Sequence, residues 1–110
     1  MKIGIVETID SGHHLPGHEA CGKPHGHTYT IEIILEGENK NGMIMDFNLV
    51  KKQAKEILKK YDHVVFNDFI PYPSCENICE TIYKELKASL PMVASLKVWE
   101  GKGKWAEVSS

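Results

Sequence analysis

The sequence predicts an α+β domain in the order β-β-α-α-β-β, with a four-stranded antiparallel sheet and two helices on one face. Apolar and polar residues alternate near both ends of the chain, the period of half-buried strands, while the middle repeats its apolar residues at helical spacing. Stretches rich in Gly and Pro mark the places where one period gives way to the other.

The first segment, from Lys2 to about Ser11, places Ile3, Ile5 and Ile9 on one side of a strand. From Thr28 to Glu36 the alternation is cleaner, with Tyr29, Ile31, Ile33 and Leu35 set against Thr28, Thr30, Glu32 and Glu36. The intervening GHHLPGHEACGKPHG reads as the loop that joins them. After a turn at ENKNG, Asp46 is placed to cap a helix carrying Phe47, Val50, Ala54, Ile57, Leu58 and Tyr61, and Lys59 and Lys60 suit its C-terminal end. Ser74 caps a second helix whose Ile78, Ile82, Leu86 and Leu90 form one stripe, and Pro91 ends it. Val93 to Glu100 and Lys104 to Val108, joined by GKG, read as a hairpin with Ala94, Leu96 and Val98 on one face.

A length of 110 residues predicts a single domain over 1–110. Such a domain has little bulk with which to enclose a deep pocket, and association of several copies would supply it. Hydrophobic residues at 42% and charged residues at 25% match a globular chain rather than a disordered one. No apolar run is long enough for a membrane span or a signal peptide, so we expect no membrane partner and a cytoplasmic location. Thirteen Lys+Arg against fifteen Asp+Glu lack the basic excess that drives phosphate-backbone binding, so nucleic acid is not expected as a partner. Three cysteines are an odd number for a disulfide framework, and Cys75 and Cys79 read as small residues packed at a helix start.

Histidine carries the first non-random signal, since five of the six lie between His13 and His27. His25 and His27 are two residues apart, which in extended backbone points both rings to the same side, in phase with Tyr29 and Ile31. Alone, this pair reads first as two polar loop residues, and it is the further histidines that turn the reading toward a metal site. His13, His14 and His18 offer a third ligand, and His13 is favoured because it continues the face of Ile9 and Ser11. Three histidines without a fourth protein ligand describe an open, catalytic Zn²⁺ site rather than a closed structural one.

Cys21 stands four residues before His25, in the loop that such an ion would hold. A neighbouring cation favours the thiolate, which acts as a base or nucleophile; a buried small residue or a fourth zinc ligand are the other readings. Asp62 beside His63 can orient an imidazole, although adjacent polar residues after a helix also describe a solvated turn. Glu100 shares its strand parity with Leu96 and Val98, so its carboxylate faces inward and needs a partner. Either it binds N–H groups of the fold, or it accepts two adjacent N–H donors of a ligand.

Together the motifs C-x-x-x-H-G-H at Cys21 to His27, G-H-x-L-P at Gly12 to Pro16, D-H-x-x-x-N at Asp62 to Asn67 and P-S-x-E-N at Pro73 to Asn77, with a late strand ending in Glu100, form a recognisable set. The chain resembles the 6-pyruvoyl-tetrahydropterin synthase and 6-carboxytetrahydropterin synthase family over nearly its whole length. The resemblance implies a pterin-binding tunnelling fold, in which the sheets of three subunits close a barrel and two trimers stack as a homo-hexamer with active sites between subunits. It implies His13, His25 and His27 as zinc ligands, Cys21 as catalytic base, Asp62 and His63 as proton relay, and Glu100 as pterin anchor.

The implied substrate is 7,8-dihydroneopterin triphosphate. The three-residue gap between Cys21 and His25 looks like the branch that forms 6-carboxy-5,6,7,8-tetrahydropterin, the precursor of queuosine-type deazapurines. The alternatives are elimination of triphosphate to the pyruvoyl product, a protein that holds zinc or pterin without turnover, and a structural metal closed by Cys21. The chain departs from the family in having His14 where many members carry Arg and Ile9 where an aromatic is usual, which leaves Lys23 as a candidate cation for the phosphates.

Overall fold

The computed structural model describes all residues 1–110. Four strands, β1 (Lys2–His13), β2 (His25–Glu36), β3 (Val93–Glu100) and β4 (Trp105–Ser109), and two helices, α1 (Phe47–Leu58) and α2 (Cys75–Ser89), follow the predicted order. The sheet is antiparallel throughout, with spatial order β1-β2-β3-β4. Both helices cover one face, where Ile31, Ile33, Leu96 and Val98 of the sheet meet Val50, Ala54 and Leu58 of α1 and Ile78, Ile82 and Leu86 of α2.

The caps follow from short polar side chains placed before each apolar stripe. Asp46 accepts the Asn48 backbone N–H at 2.8 Å, and the Ser74 hydroxyl accepts that of Asn77 at 3.1 Å. After Leu58 the chain tightens into a 3₁₀ turn over Lys59–Tyr61, which buries Tyr61 as its apolar spacing predicted. Phe47 differs: it is 51% exposed, because it continues the stripe of Val50, Ala54 and Leu58 past the end of the surface that covers it.

Two strand boundaries lie beyond their predicted ends. β1 and β2 pair without interruption from Lys2↔Glu36 to His13↔His25, so both ends of the expected loop are strand. Polar Ser11, Gly12 and Gly26 hid this extension from the alternation, yet ladder hydrogen bonds need only backbone. The late hairpin also differs, since the register slips between Ile34 and Leu35, which pair with Ser95 and Val93. This bulge puts Val93 in the core and leaves Ala94 half-buried, contrary to its predicted place beside Leu96 and Val98. Beyond the bulge the parity of Leu96, Val98 and Glu100 holds.

The second face of the sheet carries Val6 and Trp105, both exposed, with Lys97 4.3 Å over the Trp105 ring. Cys75 and Cys79 pack at the start of α2 and hydrogen-bond to strand carbonyls, as their reading as packing residues implies. No helix is long and apolar enough to cross a membrane.

Candidate active site

Strand register places the histidines. His13 lies opposite His25, and Ser11 opposite His27, at the end of the two-strand ribbon. Odd-numbered residues of β1 and β2 face the helices, so all three rings stand at the rim of the core, with His13 only 1% exposed. Their centroids are 4.6 Å (13 to 25), 5.1 Å (13 to 27) and 4.8 Å (25 to 27) apart.

Each of two rings is oriented through its far nitrogen. The Nδ1–H of His13 donates to the Pro73 carbonyl at 2.7 Å, and that of His25 to the Lys23 carbonyl at 2.8 Å. With the protons so assigned, the two Nε2 atoms meet lone pair to lone pair at 3.0 Å. That contact is repulsive unless a cation lies between them. The Nε2 of His27 is buried with no hydrogen-bond partner. Burial lowers its pKa from the ordinary histidine value, against the opposing pull of Glu100, and the neutral ring so favoured is the ligating form. The three ligand nitrogens lie within 4.8 Å of one another. Zinc bonds imidazole at about 2.0–2.1 Å, which a tetrahedron converts to nitrogen separations of roughly 3.3 Å. The donor set therefore fits a zinc-like ion with only a small adjustment of the rings.

Glu100, 13% exposed, sits beside this cluster at the end of β3, opposite Tyr29. Its Oε1 lies 3.6 Å from His27 Nε2 and its Oε2 3.9 Å from His13 Nε2. The same carboxylate lines a cleft of about 530 Å³. Tyr29 is fully buried beneath His13 and His27, and its hydroxyl has no partner. Burial raises its pKa above the usual phenol value, so it remains a neutral donor.

Asp62 and His63 lie elsewhere. The chain after the 3₁₀ turn runs along the free edge of β1: the His63 N–H donates to the Asp10 carbonyl at 2.7 Å, and the Gly12 N–H to that of Val64 at 2.8 Å. The Asp62 Oδ1 accepts the Asp10 N–H at 2.9 Å and lies 3.0 Å from His63 Nδ1. His63 adopts a left-handed φ of 57°, which turns its ring out of this edge. The pair is thus a docked, oriented dyad rather than a loose turn. His63 and His27 both line an open concavity of about 520 Å³.

The backbone hydrogen bond from Asp10, ahead of the partner His63, holds the Asp62 carboxyl below the usual aspartate range. A depressed folded-state pKa contributes stability that is present above the unfolded value and lost as pH falls through the folded one. The stability gap between wild type and Asp62→Asn should therefore narrow as the pH is lowered from 7 toward about 3, as urea midpoints at each pH will show; a gap independent of pH would remove this role.

Cys21 lies on a loop closed by its own hydrogen bonds. The Leu15 N–H donates to the Cys21 carbonyl at 2.7 Å, and the Cys21 N–H donates to His18 Nδ1 at 2.9 Å. The next residue must be glycine, because a Cβ on Gly22 would sit 2.6 Å from the His18 carbonyl oxygen. The thiol is free and half-buried. It lies outside the cluster of histidine nitrogens and makes no hydrogen bond to His63. One chain therefore gathers His13, His25, His27 and Glu100 but keeps Cys21 apart from Asp62 and His63. A closed site with Cys21 as fourth ligand is not the arrangement present.

Two residues without a role in the sequence reading support the site. The Pro73 carbonyl fixes the His13 ring, tying the start of α2 to the cluster. Asn67 accepts the His14 N–H at 3.0 Å and donates to the His14 carbonyl at 2.9 Å, fastening the first residue after β1. Both fall inside recognisable motifs, but a carbonyl or amide partner at such sequence separation leaves no mark in the spacing.

Comparison with known proteins agrees with this fold. A protein of Archaeoglobus fulgidus provisionally named 6-carboxy-5,6,7,8-tetrahydropterin synthase is 41% identical over 109 residues, 98% of this chain and 95% of its own. Dihydroneopterin monophosphate aldolase of Pyrococcus furiosus is 39% identical over 106 residues, 92% of each chain. The 6-carboxy-5,6,7,8-tetrahydropterin synthase of Bacillus subtilis is 31% identical over 94 residues, 74% of this chain and 62% of its own. The fold matches that of Caenorhabditis elegans 6-pyruvoyl tetrahydropterin synthase with a TM-score of 0.92, over 100% of this chain and 95% of that one, at 18% identity. The family model described as 6-pyruvoyl tetrahydropterin synthase spans residues 2–110, so the sheet, both helices and the strand-end histidines all lie within the matched region, and the chain is a member of that family.

Proposed function

We propose that this protein is a zinc-dependent carbon-carbon lyase that converts 7,8-dihydroneopterin triphosphate to 6-carboxy-5,6,7,8-tetrahydropterin. The observation that carries the reading is the convergence of three imidazole Nε2 atoms, two of them facing at 3.0 Å, beside the inward carboxylate of Glu100. The names of the A. fulgidus and B. subtilis relatives support this product, as does the three-residue gap between Cys21 and His25.

His13, His25 and His27 would hold the ion, which when bound supplies Lewis-acid polarisation of a substrate side-chain hydroxyl. Glu100 accepts the exocyclic amine and adjacent ring N–H of the pterin as a donor pair. Cys21 removes a side-chain proton. His63, its Nδ1 held by Asp62, exchanges a proton elsewhere on the reacting system through Nε2. One water is consumed: one side-chain carbon stays on the ring as a carboxylate, the other two leave as acetaldehyde and the triphosphate is released. The oxidation is balanced within the substrate by reduction of the ring to the tetrahydro level and of the phosphate-bearing carbon to a methyl group.

The working assembly is a homo-hexamer, a dimer of trimers. The uncovered sheet face and the separation of Cys21 from Asp62 and His63 support it, since a neighbouring copy can complete what one chain leaves apart. We place the protein in the cytoplasm, in biosynthesis of queuosine-type deazapurines.

A second reading comes from the P. furiosus relative, which is named as an aldolase acting on the monophosphate and matches over 92% of each chain. It shares the cleavage of a side-chain carbon-carbon bond but differs in substrate and product, because aldol cleavage splits the side chain without oxidising a carbon to carboxylate. Incubating the zinc-loaded protein with dihydroneopterin triphosphate, and separately with the monophosphate, decides among these. The expected products are 6-carboxytetrahydropterin, acetaldehyde and triphosphate. Triphosphate release with all three side-chain carbons retained indicates the pyruvoyl product. Cleavage of the monophosphate alone indicates the aldolase, and zinc or pterin binding without turnover indicates a binding protein.

A further inference from the structure

We infer that Lys104 reads the C4 carbonyl of the pterin ring, acting beside Glu100 as the second half of one recognition edge. This rests on the pterin substrate proposed above and deepens it.

The turn between β3 and β4 places the ammonium. Gly101 and Gly103 take left-handed φ values of 64° and 84°, and the Glu100 N–H donates to the Lys104 carbonyl at 2.9 Å, closing the turn. The side chain of Lys104 thereby returns over the carboxylate it follows, with Nζ 3.8 Å from Glu100 Oε1. Both groups line the cleft of about 530 Å³, whose walls include Leu15, Cys75, Trp105 and Ala106. Ser74, Glu76 and Glu107 complete its lining, and a pocket of this size that joins apolar surface to convergent polar groups suits a flat heterocycle.

The edge of a 2-amino-4-oxo pterin presents, in order, two donors and one acceptor: the exocyclic amine, the N3–H and the C4 oxygen. A carboxylate satisfies the donors only. It leaves the carbonyl in a partly desolvated cleft, where an unmet acceptor is costly. An ammonium carries three donors and no acceptor, and one held beside the carboxylate supplies the missing contact. Lys104 is 73% exposed, and an ion pair so open adds little to folding, so recognition accounts better for the returning turn.

The test compares binding of 7,8-dihydroneopterin with that of its 4-thioxo analogue, which keeps both donors and offers sulfur, a weaker acceptor. The zinc-loaded wild-type protein should bind the oxo ligand about tenfold more tightly than the thioxo ligand. In Lys104→Ala the oxo ligand should weaken by about tenfold and the thioxo ligand little, so that the preference disappears. Lys104→Arg should restore it. A preference that survives Lys104→Ala, or equal weakening of both ligands, overturns the assignment and leaves the pterin reading intact. Failure of the wild-type protein to bind dihydroneopterin overturns both.

Discussion

His27→Ala should yield a folded protein that no longer retains zinc. The substitution removes one of three convergent donors at a strand end and none of the apolar contacts that hold the sheet to its helices. The binding free energy of a zinc site is shared among few ligands, so loss of one of three should weaken affinity by about a thousandfold. Metal analysis after desalting, with urea unfolding of the metal-free protein as a check on folding, reads both quantities. Full metal occupancy in the variant would refute the ligand assignment. His63→Ala is the control: its ring belongs to the dyad on the β1 edge, so zinc should remain bound.

Cys21→Ala should have the opposite signature, with zinc and assembly retained and turnover lost. The thiol lies outside the histidine cluster, and its loop is held by backbone and His18 contacts that alanine preserves. A side chain that transfers a proton in the transition state contributes about 10²–10⁴ in rate, and a decrease of that order in kcat is expected. Unchanged kcat would remove the thiol from the mechanism. Loss of zinc would show instead that Cys21 completes the ion's coordination.

Parity made much of the site legible before any coordinates. His25 and His27 had to point with Tyr29, and Glu100 with Leu96, because side chains of a strand alternate strictly and one face was marked by isoleucine. The caps at Asp46 and Ser74 were readable for a similarly local reason, since the donor each satisfies lies within three residues. The bulge that moves Ala94 off the core face was not readable, because it depends on how β3 meets β2 rather than on β3 itself. The exposure of Phe47 was hidden likewise, since helical spacing shows which residues share a face but not where the covered surface ends.

Sequence by itself determined the element order, the apolar face and the shared side of His25 and His27, all consequences of short-range periodicity and turn chemistry; the pairing of β1 with β2 then brought His13 to them. Only the tertiary structure decided that Pro73 orients His13, that Asp62 and His63 dock on the edge of β1, and that Cys21 remains apart from them. Those outcomes rest on backbone carbonyls and amides, which every residue carries alike. Which of them meet across fifty or sixty residues is settled by packing rather than by side-chain identity.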